Sequence, residues 1–482
     1  MRKVKVAIIG AGTAGLSARR EVAKVTDNYL VIDNIPLGTT CARVGCMPSK
    51  VLIQVANDYH RRHQFELEGI YGADSLQLRQ REVLAHVRRL RVAKPCRQAY
   101  RFVHSVVESF ESWQDKLICQ QARFINTHTL QVGQEQIEAQ AIIVATGSKS
   151  IVPESWVDFQ HRFLISESIF EQKEFPKSIC VIGLGVIGIE LGQALGRLGV
   201  NVEAVTRSKS IGGLSDPQIQ DYAFKVFQKE FSIRLGGAKN LREEQNQLLV
   251  ETDTGVIRAE RALVSVGRRP QLEELGLDKL DLKLNQKNQP DLDPGTFQVK
   301  QEPIFMVGDV NGQRPVLHEA SDEGRIAGYN AVRIEQESEC FQRKVPLSIA
   351  FCDPQIALVG QTYHELTQNG IDFVTGKLCF ERYGRAIIKL EDVGLIHVYV
   401  EPTQGKILGA ELFCPDAEHL AHQLAWVISL NLTVAQVLIL PVYHPVMEEG
   451  LKTALQDAQK QIEPQFSPLE GLRCEETIVL QG

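Results

Sequence analysis

The chain has 482 residues, 44% of them hydrophobic and 23% charged, with a formal net charge of −6. That is length for two to four domains with large cores, and the mild acidity points away from nucleic acid or an anionic membrane surface as partner. No apolar run approaches the roughly 20 residues that span a bilayer, so neither membrane nor nucleic acid enters the expected functions.

The opening MRKVKVAIIGAG has basic residues before an apolar run, but the run is short and breaks into glycines, so it reads as a first strand rather than a secretory leader. The following stretch to Asp33 reads as tight turn, helix and second strand. Gly10, Gly12 and Gly15 stand in GxGxxG spacing and Asp33 ends the second strand. Such glycines let the backbone approach a pyrophosphate at a helix start, and the acid accepts from ribose hydroxyls.

Next comes GTTCARVGCMPSK, residues 38–50, with two thiols five positions apart. MPSKVLIQVAND reads as a helix that places Cys41 and Cys46 at or near its first turns, where the dipole favours thiolate. The ten cysteines stand at 41, 46, 96, 119, 180, 340, 352, 379, 414 and 474, and the others are expected to be mostly buried small hydrophobes. That scatter, without a leader, suggests the cytoplasm. A bridge, a metal site and a reactive dithiol are open to the close pair. Zinc needs four ligands, and no second CxxC or HxxxH cluster supplies them, so no metal site is assigned.

Residues 50–100 read as mainly helical, with HVRRLRVAKPCR as a solvated face. AIIVATGSKS (141–150), RALVSVGRRP (261–270) and IFMVGDVNG (304–312) are short apolar strands ending in glycine, as at the ligand edge of a parallel sheet. Between them the first unit recurs: SICVIGLGVIGIELGQALGRLGVNVEAVTRS carries Gly183, Gly185 and Gly188. Two dinucleotide folds suggest two dinucleotides with electron transfer between them. From about residue 345, alternating strands followed by helices suggest a separate α+β domain. The final QFSPLEGLRCEETIVLQG carries no readable chemistry.

GTTCARVGCMPSK closely resembles the GGTCxNxGCxPSK segment of the class I pyridine-nucleotide disulfide oxidoreductases, and ATGS, the second turn, VGDV and an HP…E segment follow in the family's order. The resemblance implies an α/β fold of two Rossmann-like domains, for FAD and NAD(P), plus a C-terminal α+β dimerisation domain. The expected divisions are 1–150 and 269–344 for FAD, 151–268 for NAD(P), 345–460 for dimerisation and 461–482 as a tail. Cys46 matches the flavin-proximal sulfur and Cys41 the interchange sulfur that meets substrate. Lys50 matches the lysine near flavin N5 and Glu190 its acidic partner. Asp309 matches the ribityl contact, and Gly38 and Thr40 fall on the pyrophosphate side. Cofactor binding extends by the same likeness to Ala145, Thr146 and Gly147 of ATGS and to Gly267. His444 matches the acid–base catalyst and Glu449 the carboxylate that orients it, in a segment that relatives lend to the partner's site, so a homodimer is implied.

The departures bear on substrate. Gly38-Thr39 replaces a glycine pair, Arg43 stands where asparagine is usual, Tyr443 and Val446 flank the His-Pro, and mercuric reductase's paired C-terminal cysteines are reduced to Cys474. Asp33 follows Gly10 by the same interval that Thr206 follows Gly183, so the second unit lacks the ribose-reading acid and offers Arg207 instead. Arginine there suits a 2′-phosphate, whereas Gly188 resembles the NAD users; the balance leans to NADP. YHPVMEEGL looks most like dihydrolipoyl dehydrogenase, which makes a small-molecule or lipoyl dithiol the expected substrate. The alternatives are an NADPH-dependent reductase of another disulfide or a metal ion, and a non-catalytic FAD-binding redox sensor.

Overall fold

The structure, a computed structural model, describes residues 1–34, 38–91, 113–285, 289–462 and 472. The expected tail beyond 462 with Cys474 (Leu472 apart) and the end of the basic stretch with Cys96 lie outside the described residues.

Strand Arg2–Ile9 alternates at its start, and its last four residues are buried on both faces, as a central parallel strand requires. It pairs in parallel with Tyr29–Ile32 on one side and Glu135–Val144 on the other. Ile304–Met306 also joins Glu135–Val144 in parallel, bringing a late segment of the chain beside the first turn. Gly324 and Gly328 let the helix Leu317–Ala331 press onto Ala14 and Ala18 of the helix Thr13–Val22, because a Cβ at either glycine would collide with backbone there. The second unit repeats the plan: Ser232–Leu235, Asn201–Thr206, Ser178–Ile182, Arg261–Val264 and Phe163–Leu164 form a parallel five-stranded sheet in that order. Two short strands, Ser148–Ser150 and Arg268–Pro270, run antiparallel where the chain leaves the first unit and returns to it.

A third sheet is antiparallel, in the order Leu347–Ala350, Gln355–Gly360, Ile407–Cys414, Leu395–Val400, Val374–Cys379. Its core includes Val398, Ala410 and Leu412 from the strands, with Leu420 and Leu424 of Ala417–Ser429 and Leu451 and Leu455 of Glu448–Gln459. The fold is thus two Rossmann-type nucleotide units and a separate C-terminal α+β domain. No helix among the described residues is long and apolar enough to cross a membrane.

A buried polar network ties the second nucleotide unit to the antiparallel sheet. Glu411, fully buried, accepts from Ser215 N at 2.7 Å, Asp216 N at 3.0 Å, Tyr363 N at 3.0 Å and the Ser215 hydroxyl. Asp216 caps the helix Pro217–Phe227 and meets His397 Nδ1 at 2.8 Å and the Tyr399 hydroxyl at 3.2 Å. These contacts hold the Asp216 carboxyl below the usual range although burial opposes them. Removing one member strands the others' donors away from water. Glu411→Ala should therefore cost about 3 kcal/mol, seen as a lower urea midpoint, whereas an exposed change such as Glu337→Ala should leave the midpoint in place.

The cysteines correct one expectation. Cys180, Cys352 and Cys414 are buried, but Cys119, Cys340 and Cys379 are exposed, two of them just beyond or at a strand end where side chains leave the core.

Candidate redox active site

Both glycine turns adopt one geometry. Gly10 has φ +108° and Gly183 φ +94°, in the left-handed region, and a Cβ at either would run into a carbonyl of the neighbouring strand end, Ala145 or Ser265. Gly15 and Gly188 sit against the carbonyls of Gly10 and Gly183, drawing each helix onto its turn. Gly12 and Gly185, the N-caps of the helices Thr13–Val22 and Val186–Arg197, face open space. Each turn therefore fits a dinucleotide diphosphate, with backbone donors and helix dipole toward the anion. In the first unit Asp33 accepts from Ala11 N at 2.8 Å, and burial raises its carboxyl despite that bond and the nearby Arg43. The matching position in the second unit is buried Thr206, followed by exposed Arg207, Ser208 and Lys209.

The thiols stand near the starts of two successive helices. Thr39 caps a short helix, Thr40–Val44, by accepting from Ala42 N at 3.2 Å, and Cys46 begins a second helix, Cys46–His60. Gly45 breaks the two at φ −122°, ψ −119°. A Cβ there would lie 3.1 Å from Thr40 O and 3.3 Å from Cys41 Cα, so a side chain at 45 would crowd the backbone that carries Cys41. Cys41 and Cys46 are in the dithiol form and hydrogen-bond to each other. That bond holds Cys41 protonated, its pKa raised, and with Lys50 lowers Cys46 to about 6 against the opposing effect of burial. The sign is clear: Cys46 is thiolate above about pH 6 and loses its charge below it. With the flavin that the resemblance implies bound beside the thiols, a long-wavelength thiolate–flavin band should accordingly persist at pH 7 and fade as pH falls through about 6. A band that titrates near pH 9 instead would mean the thiol pair does not activate Cys46.

Lys50, one turn into the same helix, meets both carboxylate oxygens of Glu190 at 2.8 Å, although the two are far apart in sequence. Glu190 is buried in Val186–Arg197 and also accepts from Phe351 N at 2.8 Å, while Lys50 Nζ sits 4.6 Å from the Phe351 ring. Asp309 lies half-buried in the short 3-10 loop Gly308–Asn311 after Ile304–Met306, where Ser148 Oγ donates to it at 2.6 Å. Buried Glu323 holds that loop through Gly308 N at 2.6 Å and Asn311 at 2.7 Å; burial raises its carboxyl to about 7. Arg268 Nε donates to Ser148 Oγ at 2.9 Å, and its Nη1 reaches Glu167 at 2.9 Å across the two linking strands. Ser148, Arg268 and Phe351 are additions to the expected set. Ser148 closes the quoted ATGS and Arg268 follows Gly267 in the quoted RALVSVGRRP; nothing local marks Phe351.

Ala145 N donates to Ile9 O at 2.7 Å, Thr146 Oγ1 donates to Gln271 O at 2.7 Å, and Gly147 (φ +73°) and Gly267 (φ +121°) turn the linking strands beside them. Half-buried Gly38 (φ +108°) precedes the short helix that exposed Thr40 opens. His444 stands apart from the thiols' segment, on the third domain, with Nδ1 3.0 Å from both Glu449 oxygens and Val446 N 3.3 Å from one of them. Its side chain is 80% exposed and Tyr443 beside it 81%, so the pair faces outward from its own chain. Glu449 is held below the usual carboxylate range by His444.

Residues 4–324 match the pyridine nucleotide-disulphide oxidoreductase family and residues 346–455 its dimerisation domain. A mitochondrial dihydrolipoyl dehydrogenase of Rattus norvegicus is 28% identical over 465 residues, covering 93% of this chain and 89% of the relative. A mercuric reductase of Staphylococcus aureus is 27% identical over 456 residues, covering 93% and 81%. Among solved structures, the Cu(II) complex of the HOCl-induced flavoprotein disulfide reductase RclA from Escherichia coli shares the fold at TM-score 0.79 and 21% identity, covering 95% of this chain and 99% of that one. LpdA from Mycobacterium tuberculosis does so at 0.79 and 20%, covering 94% and 99%. With its two nucleotide turns and its dimerisation domain, the chain belongs to the pyridine nucleotide-disulphide oxidoreductases: it is a flavoprotein disulfide oxidoreductase that works with FAD and NAD(P).

Proposed function

We propose that this protein is a homodimeric, cytoplasmic, NADPH-dependent reductase of a small disulfide. The observation that carries the reading is the end of strand Asn201–Thr206, where exposed Arg207 follows Thr206 and no acid is present to repel a 2′-phosphate. Overall similarity does not choose a substrate, since relatives named dihydrolipoyl dehydrogenase and mercuric reductase stand at 28% and 27% identity. The mercuric reading lacks the paired C-terminal cysteines, with Cys474 alone in the sequence. Dihydrolipoyl dehydrogenase is the second reading, favoured by Gly188 and the HPVMEE segment.

FAD held in the first cradle would supply the two-electron relay between nicotinamide and the thiols. Cys46, kept as thiolate by Cys41 and Lys50, is the charged member of the resting dithiol. In the exchange, His444 of the partner subunit takes the Cys41 proton, and the Cys41 thiolate attacks the substrate disulfide. One substrate sulfur leaves and receives that proton, while the other remains bonded to Cys41. Cys46 then attacks the Cys41 sulfur, the second substrate thiolate leaves, and the Cys41–Cys46 disulfide closes. Glu449 fixes the imidazole and stabilises its charged form. Lys50, anchored by Glu190, keeps its ammonium near Cys46 and favours the thiolate, with the carboxylate partly offsetting it.

Steady-state kinetics with oxidised glutathione, lipoamide, dihydrolipoamide and Hg²⁺, each against both nucleotides, tests the assignment. Turnover of a disulfide with NADPH supports it; efficient dihydrolipoamide oxidation with NAD⁺ alone replaces it with the second reading. Arg207→Ala should weaken NADPH binding by about 1 to 3 kcal/mol with little effect on NADH. Equal losses for both nucleotides would remove the ground for NADP.

A further inference from the structure

We propose that Tyr383 is a positioning residue for His444, holding from outside the loop that carries the imidazole and its carboxylate. The inference rests on the reading of His444 as the acid–base group. Tyr383 lies half-buried between strand Val374–Cys379 and the short helix Gly384–Lys389, far from that loop in sequence. Its hydroxyl donates to Val446 O at 3.2 Å. Val446 N in turn donates to Glu449 at 3.3 Å, and Glu449 lies 3.0 Å from His444 Nδ1. Val446 thus takes the phenol on its carbonyl and the carboxylate on its amide. Burial, with Glu449 and Glu448 nearby, pushes the phenol up to about 12, so it keeps the proton it donates through the neutral range.

The loop needs an outside tie. Val446 has no polar side chain, and Met447, at the start of the helix Glu448–Gln459, gives no side-chain cap. Peptide groups are what remain to hold, and they decide where Glu449 and the imidazole stand. The same wall is closely packed. A Cβ at Gly450 would lie 2.7 Å from Leu378 Cδ2 and 3.2 Å from Phe380 Cζ, and the Phe380 ring stands edge-on to Tyr383 at 5.2 Å. Glycine at 450 therefore lets the helix that bears Glu449 lie against the segment that bears Tyr383. With Nδ1 engaged by Glu449, the other ring nitrogen is left for proton transfer, and its aim follows from the loop. Misplacing such a group by about 1 Å costs up to about 10²-fold in rate.

The test uses the holoenzyme with Tyr383→Phe, which keeps the ring and its packing and removes only the hydroxyl, alone and combined with His444→Gln. The probe is oxidised glutathione or lipoamide, whichever wild type turns over. A positioning role predicts kcat/KM for the disulfide about 10-fold lower in Tyr383→Phe, with kcat/KM for NADPH and flavin bleaching by NADPH unchanged. In the His444→Gln background the same change should have no further effect, because the group being positioned is gone. Hydrogen exchange of the peptide spanning 444–449, read by mass spectrometry, should be faster in Tyr383→Phe than in wild type. Wild-type kcat/KM for the disulfide, or unchanged exchange in that peptide, overturns the proposal. So does an equal loss in both backgrounds, which marks a general effect on the fold. Undiminished turnover in His444→Gln alone overturns the acid–base reading and this proposal with it, and that failure shows without Tyr383 being altered.

Discussion

Cys41→Ser should abolish disulfide turnover, by roughly 10⁴-fold or more, while FAD content and NADPH affinity stay unchanged. The exchange begins with a sulfur that can form a mixed disulfide, and a serine hydroxyl cannot. The same position also tunes its neighbour, because the Cys41 hydrogen bond is the largest influence lowering Cys46. Serine can still donate to the Cys46 thiolate, whereas alanine cannot. Both variants should therefore be equally dead, yet differ in the pH at which the thiolate–flavin band fades: near 6 for Cys41→Ser, and higher for Cys41→Ala. Identical titrations in the two would mean that Lys50 alone sets the thiolate, and measurable turnover in either would remove Cys41 from the exchange.

His444→Gln should lose about 10² to 10⁴ in turnover while retaining FAD, as expected for removal of a positioned acid–base group. The outward placement of His444 makes a sharper test possible. Pair it with Cys46→Ser, inactive because the disulfide cannot form. If His444 serves its own chain, a mixed dimer carries one defect in each site and remains dead. If it serves the partner's thiols, one site inherits both defects and the other inherits none. Random reassortment makes half the dimers mixed with one good site each, restoring about a quarter of wild-type activity. Recovery near that fraction after co-expression supports the shared site; none, with mixed dimers shown to form, refutes it.

The parts of this architecture that could be read from sequence are those whose physics is local. Gly10 and Gly183 follow from a turn no other residue makes comfortably, and the spacing to Asp33 and Thr206 fixes where each second strand ends. The likeness to a known family supplied what spacing could not, such as the meeting of Lys50 with Glu190. Other contacts had no local signal. The break at Gly45 was hidden because MPSKVLIQVAND is a sound helix pattern, and only the backbone crowding around Cys41 shows why the helix cannot start earlier. Phe351 and the Glu411–Asp216–His397 network depend on residues distant in sequence meeting in three dimensions. Cys119 and Cys379 are exposed because a thiol's preference for the interior is a tendency that position at a strand end overrides, and Cys340 is exposed outside any strand.

Glu190 has a consequence for how this chain can vary over time. Its two oxygens are shared by Lys50 from the first nucleotide unit and Phe351 N from the edge of the third domain, while its own backbone belongs to the second. A substitution at any one of these positions alters the anchor of the other two. Changes there should be epistatic: the combined effect of altering 50 and 190 should differ from the sum of the separate effects, because removing the carboxylate has already removed what the lysine binds. Drift in the three domains is thereby correlated at one carboxylate, and homologues that change Lys50 should be accessible mainly through sequences that have also changed Glu190.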